Sequence, residues 1–253
     1  MPSLTFKHGA AACLLATLAS GALADDVQVA VAANFLGTMQ KLAPVFERES
    51  GHKVVMVSGS TGKFYAQIKN GAPFEILLAA DDETPERLDN EGAAVEGMRF
   101  TYAVGKLVLW SAQPGYVDQQ ALVLRKNGFQ HLALANPKTA PYGAAAVATM
   151  KQLGLHEQLA PKLVQGESIA QAYQFIGSGN AELGFVALSQ VWKDGKIAEG
   201  SGWIVPAKLH QPIRQDAVLL KAGSGKPGAA ALLLFLRSEK AKTIIKSFGY
   251  DLQ

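Results

Sequence analysis

The chain holds one cysteine, Cys13, in 253 residues. That residue falls inside an apolar stretch that reads as a discarded leader. The rest of the chain therefore has no disulfide, no thiolate nucleophile and no thiolate metal site. Histidine is sparse as well. His8 lies in the leader, and His52, His131, His156 and His210 are scattered without an H-E-x-x-H or other paired spacing. No G-x-S-x-G elbow and no Walker A loop occurs. An excess of one charge is also missing: 24 Lys and Arg stand against 21 Asp and Glu, a net +3. That balance gives no electrostatic footprint for nucleic acid. No apolar run beyond the leader is long enough to span a bilayer.

The leader itself is "MPSLTFKHGAAACLLATLASGALADD". Lys7 precedes an apolar run from Gly9 to Leu18, and Ala22-Leu23-Ala24 supplies an A-x-A cleavage site. This is the plan of a secretory signal peptide over residues 1–24, cleaved after Ala24. Its removal takes away Lys7 and no acid, leaving residues 25–253 at +2. A chain of that length can bury a large core without disulfides.

Short β-rich runs then alternate with amphipathic patterns. Val27 to Ala32 reads as a buried strand. Leu36, Met39, Leu42, Val45 and Phe46 form one helical face, ended by Gly51. Val54 to Val57 and Glu75 to Ala79 are further strands. Lys63 to Asn70 is a helix, and Thr84-Pro85 opens another with Pro at its first position. This β-α order predicts a parallel sheet covered by helices. The second block has strands at Lys106 to Trp110, His131 to Leu134, Leu183 to Val186 and Trp203 to Val205, with helices at Tyr142 to Leu153 and Ser168 to Ile176. The end returns to a strand at Ala217 to Leu220 and helices at Pro227 to Leu236 and Glu239 to Ser247. The pattern predicts an α/β protein of two lobes. Residues 25–104 and 212–253 form one and 105–211 the other, with a ligand cleft between them at the carboxyl ends of strands.

Four segments place small or hydroxyl residues just before a helix: Ala33-Asn34, Ser60-Thr61 within "GSTG", Tyr142-Gly143 and Ser168-Ile169. Helix starts leave backbone N–H groups free and carry partial positive charge, so they attract anions. Each segment alone is explained by helix capping or packing. As a set, two per lobe, they predict one donor-lined anion site. Asp81-Asp82-Glu83 reads as a solvated helix entry rather than an acid/base pair. Trp110, Trp192 and Trp203 read as packing residues.

These residues resemble a known family, the periplasmic molybdate-binding proteins of molybdate ABC transporters. The resemblance spans the mature chain through "AANFLGTMQKLAPVFE", "NGAPFEILLAADDETPERLDNEG", "TYAVGKLVLWS", "NPKTAPYG" and "LGFVAL". It implies the two-lobed, hinge-closing solute-binding fold of type II, each lobe a mostly parallel sheet flanked by helices. It implies a periplasmic monomer that binds molybdate and tungstate, uses no cofactor and performs no chemistry. Its partners would be a membrane permease and that permease's ATPase. By the same resemblance the oxyanion is held through Asn34, Ser60, Thr61, Tyr142 and Ile169, beside Ala33, with no direct metal-ion ligand. Tyr142 would serve by backbone N–H or hydroxyl, and Ile169 by backbone N–H. The chain departs from some relatives at Ala187, where they carry a Tyr hydroxyl, and at Ala33, where they carry Thr. Lys63 comes just after the turn, where close relatives can be uncharged, and is a candidate for a charged contact to the ligand.

A dianion without a proton wants donors and no carboxylate, which favours molybdate, tungstate or sulfate over phosphate. Glu167 is the one acid near the four segments and is expected to point outward. Two other readings stand beside this one: a receptor for another oxyanion such as sulfate, and an exported enzyme on the same fold. The second would need a nucleophile with a base nearby, and the spacing shows none.

Overall fold

The computed structural model describes residues 24–252, so the expected signal peptide up to residue 23, with Cys13, lies outside the described residues. Strand β1 (Asp26–Ala32) turns Val27, Val29 and Val31 to one face of a sheet and Ala30 to the other. Helix α1 (Leu36–Ser50) lays Met39, Leu42 and Phe46 on the first face. It contains Pro44 and ends at Gly51, whose φ of 77° closes the last turn. After β2 (Lys53–Gly59) comes α2 (Thr61–Lys69), which starts two residues earlier than its apolar pattern predicts. Thr61 and Gly62 therefore sit in the first helical turn, not before it. Strand β3 (Ile76–Leu78) leads to α3 (Glu83–Asn90), which puts Pro85 at the third helical position rather than the first. A helix tolerates this because its first four N–H groups have no intrahelical partner.

Strand β4 (Phe100–Gly105), which the alternation of elements did not predict, carries the chain out of this lobe. Strand β5 (Leu107–Ser111) begins the next one. The second lobe continues through α4 (Leu122–Lys126), β6 (Leu132–Ala135), α5 (Pro141–Gln152), α6 (His156–Leu159), β7 (Leu163–Gly166), α7 (Ile169–Gly177), β8 (Leu183–Ala187) and α8 (Leu188–Val191). A small hairpin, β9 (Trp192–Lys193) and β10 (Lys196–Ile197), precedes β11 (Ser201–Ile204). Strand β12 (Ile213–Leu219) returns to the first lobe, and α9 (Pro227–Leu236) and α10 (Glu239–Ser247) complete it.

Each lobe has a five-stranded sheet, ordered β2-β1-β3-β12-β4 in the first and β11-β5-β8-β6-β7 in the second. In the first, β1 pairs in parallel with β2 and β3, while β12 runs antiparallel to β3 and β4. In the second, β6 is parallel to β7 and β8, while β5 is antiparallel to β8 and β11. Four of the five strands in each sheet run the same way, as a mostly parallel sheet requires, and only β12 in the first and β5 in the second are reversed, so half of the pairings are antiparallel. The βα units supply the parallel half, and strands at the crossings between lobes supply the other. Helices cover both faces of the first sheet: α1, α9 and α10 on the side of Val29, α2 and α3 on the side of Ala30. Ala32, Ala33 and Ala80, at the strand ends of the first lobe, join the apolar core of the second. The lobes are closed onto one another there. Among the described residues no helix is long and apolar enough to cross a membrane.

Candidate functional site

The carboxyl ends of β1, β2 and β3 meet the amino ends of α5 and α7 across the interlobe cleft. They line a cavity of about 10 Å³, about the space that one water molecule needs. Ala33, Asn34, Ser60, Thr61, Tyr142 and Ile169 all line it, with Ala80 and Ala140. No charged side chain lines it. Two larger grooves, about 1020 and 620 Å³, flank the cleft and are open. Among the described residues no cluster of three or more His, Cys, Asp and Glu is placed to hold a metal ion.

The donors come from helix starts. Thr61 is the first residue of α2, and Ile169 the first of α7. Pro141 is the first of α5 and has no N–H, so Tyr142 offers that helix's first donor. Asn34 lies two residues before α1. Helix N-termini from both lobes thus add their partial positive charge at one point.

Two hydroxyls join them. Ser60 is 4 % exposed, and its Oγ has no protein partner. It stands at the N-cap of α2 yet makes no capping bond. Thr61 is fully buried, and its Oγ1 accepts the Ala80 N–H at 2.9 Å. An oxygen that accepts there keeps its own hydrogen to donate. Ser168, by contrast, accepts from the Gln171 N–H and is an ordinary cap.

Three of the sequence-predicted residues also bond within the protein. The Asn34 amide is committed elsewhere: its Nδ2 donates to Gln215 Oε1 (2.9 Å) and to Tyr250 Oη (3.0 Å). Asn34 can donate into the cavity only through its backbone N–H. The Tyr142 hydroxyl accepts from Gln215 Nε2 at 3.0 Å, which ties it to β12, and its own hydrogen and its backbone N–H both remain to donate. Ala33 contributes wall alone, because its N–H donates to the Gly59 carbonyl at 2.9 Å. Gly143 does not open the way for a ligand: a Cβ there would come within 2.2 Å of the Ala135 carbonyl, so its bareness seats α5 on β6. Ala187, beside the cleft, ends β8 with its N–H held by Gln190 Oε1.

Behind the cavity lies a buried polar network that joins the lobes. Gln215 sits where the β12–β4 register shifts, a bulge that re-aims its side chain inward. It links Asn34, Tyr142 and the Tyr102 hydroxyl, the last at 3.1 Å. Tyr250 donates to the Asn34 carbonyl (2.9 Å), and Ser189 of the second lobe donates to the same oxygen (2.8 Å). Burial pushes Tyr250 up to about 12 and Tyr102 and Tyr142 well above their usual value, so all three stay protonated at neutral pH. Phe35 seals the network, edge-on to Tyr102 at 4.7 Å and Tyr250 at 5.5 Å. Gln215, Ser189 and Tyr250 were missed from sequence. The signal available was a polar run, Arg214-Gln215-Asp216, inside a strand, β12, whose other residues are apolar.

Two lobes closing on one small, uncharged, donor-lined cavity define a solute-binding protein for a small anion. The profile of the bacterial extracellular solute-binding protein family matches residues 27–251. The molybdate-binding protein ModA of Azotobacter vinelandii is 63 % identical over 236 residues, 93 % of this chain and 94 % of that one. ModA of Rhodobacter capsulatus is 50 % identical over 248 residues, 97 % of this chain and 96 % of that one. The solved periplasmic molybdate-binding protein of A. vinelandii superposes with a TM-score of 0.87 at 47 % identity, covering 90 % of this chain and all of the other. The chain belongs to the ModA family of periplasmic molybdate-binding proteins, within the bacterial extracellular solute-binding proteins. These relatives are binding proteins, and the chain is a binding protein rather than an enzyme.

Proposed function

We propose that this chain binds molybdate, and tungstate with it, in the interlobe cavity, and hands it to a membrane permease driven by an ATPase. The observation that carries this is a cavity at converging helix starts with no charged side chain in its lining, in which the buried Ser60 hydroxyl has no protein partner. The proposed contacts are Ser60 Oγ, Thr61 Oγ1 and the backbone N–H groups of Asn34, Thr61, Tyr142 and Ile169. A fully deprotonated tetrahedral dianion accepts from all of them. Hydrogen phosphate would bring a proton that finds no carboxylate there, and a hydroxyl that accepts it would be turned away from the anion's other oxygens. The size that separates molybdate from sulfate rests on the relatives' ligand, since both anions present the same acceptors.

We read residues 25–104 and 212–253 as one lobe and 105–211 as the other, supported by sheet membership. The protein acts as a periplasmic monomer after cleavage at Ala24. Donors from both lobes are usable together only when the cleft is shut, so the ligand favours the closed form. Thermal melting with molybdate, tungstate, sulfate, phosphate or no addition tests this. Molybdate or tungstate at a hundred times its dissociation constant adds about 2.7 kcal/mol. That corresponds to roughly 5–10 °C for a chain of this size. A shift with sulfate alone would establish the sulfate-receptor reading instead.

A further inference from the structure

The first turn of α2 does more than face the cavity. Gly62 donates its N–H to the Thr139 carbonyl at 2.9 Å, and Thr139 lies in the β6–α5 loop of the other lobe. The approach is close enough that a Cβ on Gly62 would stand 3.0 Å from Thr139 Cα and 3.1 Å from its carbonyl oxygen. Next along the chain, the Lys63 ammonium pairs with the Glu167 carboxylate, just before α7 in the other lobe. Glu167 is steadied there by its own N–H, which donates to Gln171 Oε1 at 2.6 Å. Neither Gly62 nor Lys63 lines the cavity.

We infer that Gly62 and Lys63, with Thr139 and Glu167, form a clasp across the mouth of the cleft that governs ligand release without touching the ligand. This rests on the oxyanion-binding reading above. Both contacts bridge the lobes, so both must break when the cleft opens, and the ligand cannot leave before that. Loss of the clasp falls on the dissociation rate, where affinity differences between related complexes mostly arise. The ion pair has a second effect. A lone carboxylate at the rim would repel an anion, and Lys63 cancels it, so the mouth carries no net charge from these two groups. Lys63 is thereby a partner of the opposite lobe, not of the ligand.

The test is a charge-reversal cycle on the full mature chain, loaded with isotopically labelled molybdate and chased with an excess of unlabelled molybdate. K63E places two carboxylates across the cleft and speeds release. Both side chains are about half exposed, so the expected effect is about two- to fivefold, shrinking at high salt. E167K places two ammonium groups there. The double variant K63E/E167K restores the pair in reverse and returns release to within about twofold of the wild type. A structural role for either residue alone would show no such rescue. Gly62→Ala speeds release as well, because the added Cβ holds the two backbones apart. Wild-type release from K63E, or a double variant as fast as K63E, overturns the ion-pair half. Wild-type release from Gly62→Ala overturns the backbone half. If the wild type takes up no molybdate, the functional reading fails; if it does and all variants release at one rate, the clasp alone fails.

Discussion

Replacing Ser60 by Ala should weaken binding without lowering stability. With the lobes closed the Ser60 hydroxyl is buried, without a protein partner, and makes no cap bond to α2. A Ser-to-Ala change at a helix N-cap normally lowers stability by about 0.5–2 kcal/mol. That loss comes from a capping bond, which Ser60 does not make. What disappears instead is a desolvated polar group, whose burial costs about 1–3 kcal/mol. Ser60→Ala should therefore not lower the ligand-free melting temperature, and should raise it by up to about 2–4 °C, a gain near 1 kcal/mol, to the extent that the ligand-free protein is closed. With ligand the sign reverses. A hydrogen bond to a charged group contributes about 1.5–3 kcal/mol, so the dissociation constant for molybdate should rise at least tenfold. Differential scanning calorimetry of the free protein and isothermal titration of the same samples measure both. A variant that melts lower than the wild type yet binds molybdate equally well would show that Ser60 is only a helix cap, and the donor shell would lose its firmest residue.

Neighbouring groups give three more expected outcomes. Thr61→Ala should weaken molybdate binding at least tenfold, and it should also destabilise the free protein because the Ala80 N–H loses its acceptor; titration calorimetry with unchanged affinity refutes the assignment. Gln215→Leu should lower stability by about 2 kcal/mol or more, since the buried Tyr142 hydroxyl loses its partner and the Asn34 amide one of two, and urea unfolding reads the change directly. Asp81 has its carboxyl raised from 3.8 to about 6, chiefly by burial, with Glu83 and Asp82 adding to the rise and hydrogen bonds from Thr84 opposing it. A raised carboxyl holds its proton in the folded state where the unfolded chain has lost it, so its contribution falls as pH climbs from about 4 to about 6. Asp81→Asn should gain on the wild type over that window, by about 1–2 kcal/mol after allowance for partial exposure; parallel pH profiles would refute it.

The helices that end the chain were legible to the residue. Pro227 pre-sets the first turn of α9, and Ser238 caps α10 through the Ala241 N–H, so local chemistry decides both boundaries. The convergence of Asn34, Ser60, Thr61, Tyr142 and Ile169 on one point was also legible, because each segment precedes a helix and the βα pattern orders them. Their division of labour was not. Asn34 finds its amide partners 181 and 216 residues away in Gln215 and Tyr250, and no local pattern encodes such a pairing. The one reversed strand in each sheet was hidden for the same reason. β12 enters the first sheet from the far end of the chain and meets β4, whose "FTYAVG" runs into β5 with only Lys106 between. The question raised by Lys63 has a physical answer in Glu167, which spacing alone could not place opposite it.

Isothermal titration of the mature chain with molybdate at neutral pH tests most directly whether this cavity takes a fully deprotonated tetrahedral oxyanion. The expected result is a single saturable site, displaced by tungstate and untouched by an equal concentration of phosphate. Phosphate binding at that site as tightly as molybdate, or no heat and no competition from either molybdate or tungstate, would contradict it.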